Sequence, residues 1–409
     1  MFLFLIFLVV LATYNPPIMS LNLSSYVLLC GFILSLFIKK QRIYEIRQNL
    51  LNISICAFFI WVLISNIFSI DHYVTFRSSL KILSLFLFAF FLRLIIKNKK
   101  DDCMLWNYII FTNIVSCIVG LYQFVFQTST YHLAYGTDFD ALRIVGAFPT
   151  PNIYANFLCL TLPIVILKAI EEKRIVWFAI LAINGIVLYE TFSRGAVISL
   201  GVALVLWKMI DCALIRKTMR LTRKRIRFIT IISLILVATI INLISSGKLT
   251  FLFQTRGSTP ERVNSLLAAL EIFVENPIGQ GFGVGIGSVL DGTYINILVD
   301  LGFIGIILLL IILVNMILRS VKMCQINNCI YTQSVLLTII TMALLCVFES
   351  VVYDSLINFF FAIIWFELNL PNVIKNDFKS LKPLYPDKSL KLTDAILKNF
   401  TLSFYKGNF

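Results

Sequence analysis

The sequence predicts an all-α protein, a polytopic transmembrane helical bundle of about 12 spans. Of its 409 residues, 59% are hydrophobic and 14% are charged, and the mean hydropathy is +0.91. A soluble core does not need that much apolar surface, whereas helices that face lipid do. The net charge of +14 lies mostly in short loops between apolar runs. This charge therefore indicates membrane orientation, and it argues against nucleic-acid binding.

The predicted spans are apolar runs, most of them close to the roughly 17–25 residues that cross a bilayer. The first run has no basic segment before it, which favours a span over a cleaved signal peptide. In chain order the runs cover residues 1–14, 21–38, 50–70, 80–96, 103–127, 152–170, 175–191, 194–211, 228–245, 293–318, 330–349 and 355–370.

Basic loops set the predicted orientation, because Lys and Arg accumulate in the cytoplasmic loops of membrane proteins. Such residues follow every even-numbered run, so both termini should be cytoplasmic. The transmembrane domain is predicted to cover 1–370, and 371–409, with seven lysines, should be a cytoplasmic basic tail near the anionic leaflet. The other basic groups are Lys39, Lys40, Arg42 and Arg47; Lys97, Lys99 and Lys100; Lys173 and Arg174; the basic residues of 216–227; and Arg319 and Lys322.

Two loops on the predicted outer face are long, 128–151 and 246–292. The second should contain an amphipathic helix over 260–275, with Thr259 as its N-cap and Pro260 in the first helical position. Its apolar residues recur at helical spacing, so this helix should lie on the membrane surface or pack over the spans as a lid. These residues are Val263, Leu266, Leu267, Leu270 and Phe273.

Seven of the 35 lysines and arginines fall on the predicted outer face, which normally carries few of them near helix ends. Arg143, Arg256 and Arg262 lie in the two long loops, and Arg194 lies at the mouth of a helix pair. The alternatives are a snorkelling role for Arg194 and solvated roles for the loop arginines. A cluster of guanidiniums nevertheless favours an anionic ligand, most naturally a phosphate. The full set is Arg77, Lys81, Arg143, Arg194, Lys248, Arg256 and Arg262.

Other groups on the same face extend the candidate site. Asp291 should lie at the outer surface, and Asp300 should be buried one or two turns into the tenth span, where a carboxylate needs a partner such as an outer arginine. Alternating glycines over 279–287 should let the backbone fit closely around the membrane surface or a substrate. The two histidines, His72 and His132, show no metal-ligand spacing, so no metal site is predicted.

Four motifs follow one another on the predicted outer face, over about 140–310 of the chain. They are Arg143…Gly146-Ala-Phe-Pro-Thr-Pro-Asn152; Thr191-Phe-Ser-Arg194-Gly-Ala196; Arg256 and Arg262 followed by Glu275-Asn-Pro-Ile-Gly279-Gln-Gly281; and Thr293-Tyr-Ile-Asn-Ile-Leu-Val-Asp300-Leu-Gly302-Phe-Ile-Gly305. In order and spacing, this series resembles the O-antigen ligase and O-antigen polymerase superfamily of bacterial envelope glycan enzymes. The twelve-span layout agrees with that resemblance along the rest of the chain.

The resemblance implies a donor glycan carried on a polyprenyl diphosphate, in the outer leaflet of the bacterial cytoplasmic membrane. The glycan would pass to an acceptor hydroxyl without nucleotide sugar, metal or other cofactor, and a chain-length regulator protein is a further candidate partner. By motif, diphosphate binding falls on Arg194 and on Arg256 or Arg262, with Arg143 as an addition. Asn152 and Asp300 belong to the same expected binding set.

The chain departs from the ligase pattern at 291–292. Ligases of the superfamily carry a His-Asn pair there, whereas this chain has Asp291-Gly292, and the polymerases often carry an acid. Because a carboxylate can accept a proton or orient a hydroxyl, Asp291 is the predicted base beside a charge-stabilising Arg194, and polymerase is the preferred function. The alternatives are a ligase acting on a lipid, wall or protein acceptor, a flippase for lipid-linked glycans, and a structural assembly subunit.

Overall fold

A computed structural model describes residues 49–96, 99–128, 143–148, 150–215, 258–285, 292–349 and 355–369. Within these ranges the chain is helical and has no strands, which confirms the predicted all-α class for the described residues. A π-helical turn, Asp211–Ile215, directly follows the helix Arg194–Ile210. The helices are α1 (Leu50–Ile64), α2 (His72–Ile95), α3 (Lys99–Phe126), α4 (Pro151–Glu172), α5 (Ile175–Glu190), α6 (Arg194–Ile210), α7 (Ser258–Glu275), α8 (Thr293–Ile326), α9 (Ile330–Phe348) and α10 (Ser355–Leu368).

Five helical segments of the described chain are long and apolar enough to cross a membrane. Every predicted run within 50–211 and within 293–370 coincides with a helix. The runs 1–14, 21–38 and 228–245 and the tail lie outside the described residues, so the count of twelve stays a prediction. Helices α1 and α5 are apolar but shorter. The five segments are Cys103–Phe126, Pro151–Glu172, Arg194–Ala213, Thr293–Ile326 and Ile330–Phe348.

Helices α4 and α9 form the centre of the bundle. In an apolar 18-residue stretch of α4, 78% of the residues are buried inside the protein, and in that of α9 72%, against 28% in that of the segment that contains α6. Helix α4 is apolar on all sides, with Phe157, Leu158 and Leu160 almost inaccessible, and such a helix is stable when neighbours surround it. Helices α3 and α6 instead turn large apolar side chains such as Phe111 and Val205 outward, as lipid-facing helices do.

A neutral polar cluster joins α3, α4 and α5 about halfway along their lengths. Asn113 Nδ2 donates to Asn184 Oδ1 at 2.9 Å, and Asn184 Nδ2 donates back to Asn113 Oδ1 at 3.0 Å. Asn113 also donates to Thr161 Oγ1 at 2.8 Å, and all three side chains are buried. In an apolar surrounding, each such hydrogen bond contributes about 0.6 kcal/mol on average, and up to about 1.7 kcal/mol, to helix association.

Successive helices run in opposite directions, so their ends collect at two ends of the bundle. We call the end where α4, α6 and α8 begin the site end. Helix α9 finishes there, because the carbonyl oxygen of Glu349 accepts hydrogen bonds from Thr293, the first residue of α8. At the opposite end, Arg319 of α8 donates to Asn369, just after α10, at 3.0 Å.

The site end is expected to face the outside of the cytoplasmic membrane, because the basic loops of the sequence follow the helices at the opposite end. In a background without native cysteines, Ser258→Cys at the start of α7 should react with a membrane-impermeant maleimide in intact cells. Lys388→Cys should react only after the membrane is permeabilised. Labelling of both variants from the same side would contradict this orientation.

Candidate functional site

A tight turn carries the Thr191–Ala196 motif from α5 into α6. Phe192 has a φ of 53°, a left-handed conformation that is uncommon for an aromatic residue. Ser193 is the N-cap of α6, although its side chain makes no capping hydrogen bond. The turn places Arg194 in the first helical position, at the site end. Backbone strain of this kind costs about 1–3 kcal/mol and persists mostly at functional sites.

Gly195 allows α6 to approach the end of α9 closely. A Cβ atom built on Gly195 would lie 2.7 Å from the Cβ of Phe348, so a larger residue would push the two helices apart. The same point lies 3.9 Å from Oε1 of Glu349. The carboxylate of Glu349 therefore lies beside the first turn of α6, where the helix dipole favours negative charge.

Glu349 is a candidate site residue that sequence reasoning missed. Its carbonyl oxygen accepts hydrogen bonds from the N–H of Thr293 at 3.0 Å and from Thr293 Oγ1 at 2.8 Å. The residue thus brings the end of α9 together with the beginnings of α6 and α8. A signal was present in the sequence, because Glu349 closes an apolar run on the same predicted face as the outer arginines. Ionisable residues within membrane spans are rare and commonly functional, so an acid at the end of a span is a candidate functional group.

Arg143 lies against the same turn. Its Nε donates to the carbonyl oxygen of Thr191 at 2.8 Å, and its Nη2 donates to Oδ1 of Asn152 at 2.9 Å. Two predicted site residues, Arg143 and Asn152, are therefore in direct contact, and the arginine is fixed three residues from Arg194. The positive charge also lies at the end of α5, where the helix dipole favours a cation.

The segment that positions Arg143 folds around two side chains from neighbouring helices. Gln123 Oε1 accepts from the N–H of Gly146 at 2.8 Å, and Gln123 Nε2 donates to the carbonyl oxygen of Gly146 at 2.8 Å. Gly146 has a φ of 57°, and a Cβ atom there would lie 2.7 Å from the ring of Tyr154. Thr150 then caps α4. Only glycine fits this turn, which explains why the motif carries one.

Asp300 in α8 is held by the glycine series. The residue is 1% exposed, its Oδ2 accepts from the N–H of Gly283 at 2.7 Å, and its Oδ1 accepts from the N–H of Gly285 at 2.8 Å. Hydrogen bonds to a carboxylate are stronger than those between neutral groups. These contacts favour a positioning role for Asp300 over direct contact with substrate. The arginine partner expected from the sequence stays a prediction.

Helix α8 is broken beside that carboxylate. Gly302 has φ 64° and ψ −160°, a conformation that is essentially restricted to glycine. A break frees backbone groups that need partners inside an apolar bundle, and the segment 277–285 supplies most of them. Part of the close backbone fit expected of the glycines is therefore made around α8, and a fit to the membrane surface or to a substrate stays a prediction. From the segment, the N–H of Gln280 donates to the carbonyl oxygen of Val299 (3.0 Å), and the N–H of Gly281 donates to the carbonyl oxygen of Asp300 (2.9 Å). In the other direction, the N–H of Phe303 in α8 donates to the carbonyl oxygen of Pro277 (3.1 Å). The carbonyl oxygen of Leu301 accepts from Trp61 Nε1 of α1 (2.9 Å).

Helix α7 confirms the helix predicted over 260–275 and begins slightly earlier, at Ser258. Ala269 is almost fully buried against Val299 of α8, so the helix is fixed to the segment that carries Asp300. Part of its predicted apolar face is exposed, as expected of a helix that meets a membrane surface. The exposed residues include Leu266, Leu267 and Leu270.

Three predicted site residues lie wholly or in part outside the described structure. Arg256 and Asp291 lie outside the described residues, and Arg262 lies on α7 with its side chain undescribed. The convergence of Arg194, Arg256 and Arg262 on one cavity, expected if they share a diphosphate, therefore stays a prediction.

The described part of the site end consists of charged and polar side chains where α4, α6, α8 and α9 meet. Within the described ranges, no group of three or more His, Cys, Asp or Glu side chains could hold a metal ion. His72 is exposed, and its Nδ1 lies 2.7 Å from the carbonyl oxygen of Asn66, while His132 lies outside the described residues. No family model matches this chain, and no curated protein matches it in sequence.

Proposed function

We propose that this protein polymerises oligosaccharide repeat units carried on polyprenyl diphosphate, at the outer face of a bacterial cytoplasmic membrane. One observation supports the proposal most strongly. Arg143 is hydrogen-bonded to the turn that leads into Arg194, and the carboxylate of Glu349 lies beside the next residue, Gly195. Two arginines and an acid thus belong to one end of the bundle, and Arg143 is fixed there by hydrogen bonds, as transfer from a diphosphate requires.

The reaction needs little covalent chemistry from the protein. The oxygen of an acceptor hydroxyl forms a bond to the anomeric carbon of the donor sugar, and the bond from that carbon to the phosphate oxygen breaks. The polyprenyl diphosphate leaves with the bonding electron pair, and the hydroxyl proton passes to a carboxylate. Fixed arginines stabilise the growing negative charge, and each charge-assisted hydrogen bond contributes about 1.5–3 kcal/mol.

Two carboxylates are candidates for the proton acceptor. Asp291 is the acid that the resemblance points to, and Glu349 is the acid that the fold brings to the first turn of α6. Arg194 and Arg143 are proposed to bind the diphosphate, and Arg256 and Arg262 are proposed to bind it from the long loop. Asn152 fixes Arg143, and Asp300 fixes the loop onto α8.

The placement of polar groups favours chemistry at one face over transport. The cluster of Asn113, Thr161 and Asn184, about halfway along its helices, is neutral and closed by its own hydrogen bonds. A flippase needs charged or polar groups that accompany a headgroup through the whole bilayer. Arg143 and Glu349 lie instead at the site end, and the buried carboxylates of Asp211 and Glu367 lie near the opposite end of the bundle.

Reconstitution would test the proposal. Purified protein in liposomes, supplied with a polyprenyl-diphosphate-linked oligosaccharide, should yield lipid-linked products of two or more repeat units and free polyprenyl diphosphate. Transfer of single units to a lipid, wall or protein acceptor would support the ligase alternative. Movement of the donor across the bilayer without a new glycosidic bond would support the flippase alternative. Either result would contradict the polymerase.

Polymerisation is expected to persist in excess EDTA, because arginines supply the positive charge that a divalent cation would otherwise provide. The measurement compares product length and rate with and without chelator, after dialysis of the protein against the same buffer. Loss of polymer that one added metal ion restores would contradict this prediction.

A further inference from the structure

Two buried polar groups beneath the arginines have no hydrogen-bond partner in the described structure. Asn156, on α4, is 3% exposed, and no group donates to its Oδ1. Ser193, the N-cap of α6, is 4% exposed, and its Oγ is likewise without a partner. Burial of an amide oxygen without a donor destabilises a fold, so such a group needs an explanation, and a ligand that donates a hydrogen bond is one.

The two groups belong to one layer between α4 and α6. Cys159 of α4 donates to the carbonyl oxygen of Ala196 in α6, with the atoms 3.3 Å apart. Asn156 lies three residues before Cys159, and Ser193, the N-cap of α6, lies three residues before Ala196, so we expect each to lie about one turn nearer the site end, where α4 and α6 meet. Because both helices begin at the site end, the two groups should lie at a similar depth.

Helix α4 places Asn156 directly under the contact between Arg143 and Asn152. Asn152 lies one turn above Asn156 on α4, and its Oδ1 accepts from Arg143. Ser193 immediately precedes Arg194 in the chain.

We propose that Asn156 and Ser193 form a hydroxyl-binding subsite that receives a sugar hydroxyl of the glycan while the arginines above hold the diphosphate. This inference rests on the proposed function. An amide oxygen accepts hydrogen bonds, so it repels a phosphate oxygen and selects a neutral group with an O–H. A serine hydroxyl can donate and accept, so a vicinal pair of sugar hydroxyls satisfies both groups.

The test compares Asn156→Leu with Asn184→Leu. The two asparagines are both buried, but the amide of Asn184 exchanges hydrogen bonds with Asn113. Asn156→Leu should leave the Tm of the purified protein unchanged or raise it, because no protein partner is lost. It should nevertheless lower turnover about tenfold or more and raise the KM for the glycan acceptor. Asn184→Leu should lower the Tm instead, because it leaves Asn113 without its partner.

Two soluble probes separate the outcomes. Farnesyl diphosphate, which has no sugar, should raise the Tm of the wild type and of Asn156→Leu equally. A neutral oligosaccharide at millimolar concentration should raise the Tm of the wild type but not of Asn156→Leu or Ser193→Ala. If the oligosaccharide stabilises these variants as well as the wild type, or if Asn156→Leu lowers the Tm as Asn184→Leu does, the subsite is refuted and the proposed function stands. If farnesyl diphosphate stabilises no form of the protein, the proposed function itself fails.

Discussion

Arg194→Ala is expected to reduce polymer formation by at least about 100-fold while the protein remains inserted and folded. Arg194 is the first residue of α6, at the site end, and it follows the turn at Thr191 to which Arg143 is hydrogen-bonded. Its loss removes a fixed positive charge from the leaving diphosphate. Arg194→Lys should recover only a small part of the activity, because an ammonium group lacks the fork that matches two phosphate oxygens.

The measurement is the rate of polymer formation in liposomes, normalised to folded protein from size-exclusion chromatography. Arg174→Ala is the matched control, because Arg174 lies at the opposite end of the bundle and its side chain is 76% exposed. That variant should retain wild-type turnover. Equal losses in both variants, or full activity of Arg194→Ala, would leave Arg194 as an ordinary snorkelling residue at a helix end.

Gly302→Ala is expected to be among the most destabilising single substitutions in the described bundle. Its φ of 64° and ψ of −160° are strained for alanine, and the added Cβ would overlap the backbone of Pro277 and Ile278. The backbone strain alone costs about 1–3 kcal/mol, and the overlap adds to it. We expect segment 277–285 to detach from α8, with loss of activity even though Arg194 is untouched.

Thermal unfolding of the purified protein would check this result, together with limited proteolysis of the segment that contains α7. The control is Gly201→Ala on α6, where a Cβ would have open space. There alanine should be neutral or should stabilise the helix by up to about 1 kcal/mol. If Gly302→Ala has the same Tm and protease resistance as Gly201→Ala, the break does not anchor the loop.

The helices could be predicted because apolar length and turn residues act locally. The run over 152–170 and the proline at 151 fix α4 almost to the residue. The partner of Asp300 could not be predicted, because backbone N–H groups carry no sequence signature and those of Gly283 and Gly285 lie far along the chain from it.

The candidate site was predictable only where its chemistry is visible in the residue type. Arginines on the predicted outer face stand out because that face normally carries few basic residues. The structure brings one of them, Arg143, to the turn that carries Arg194. Glu349 was missed because it ends an apolar run, and its proximity to Gly195 arises from helix packing. Asn156 was missed for a related reason, since only the packed bundle distinguishes an amide without a partner from one with a partner.

The attachment of segment 277–285 to α8 has an evolutionary consequence. Apart from those to the Asp300 carboxylate and to the Ser65 hydroxyl, which accepts from the N–H of Phe282, the hydrogen bonds described for it join backbone to backbone. Peptide groups are the same in every residue, so side chains such as those of Gln280 and Val284 can drift without loosening the frame, provided the glycines persist. Substitution can thus alter the exposed surface of this segment while the hydrogen bonds to the broken helix beneath it are kept.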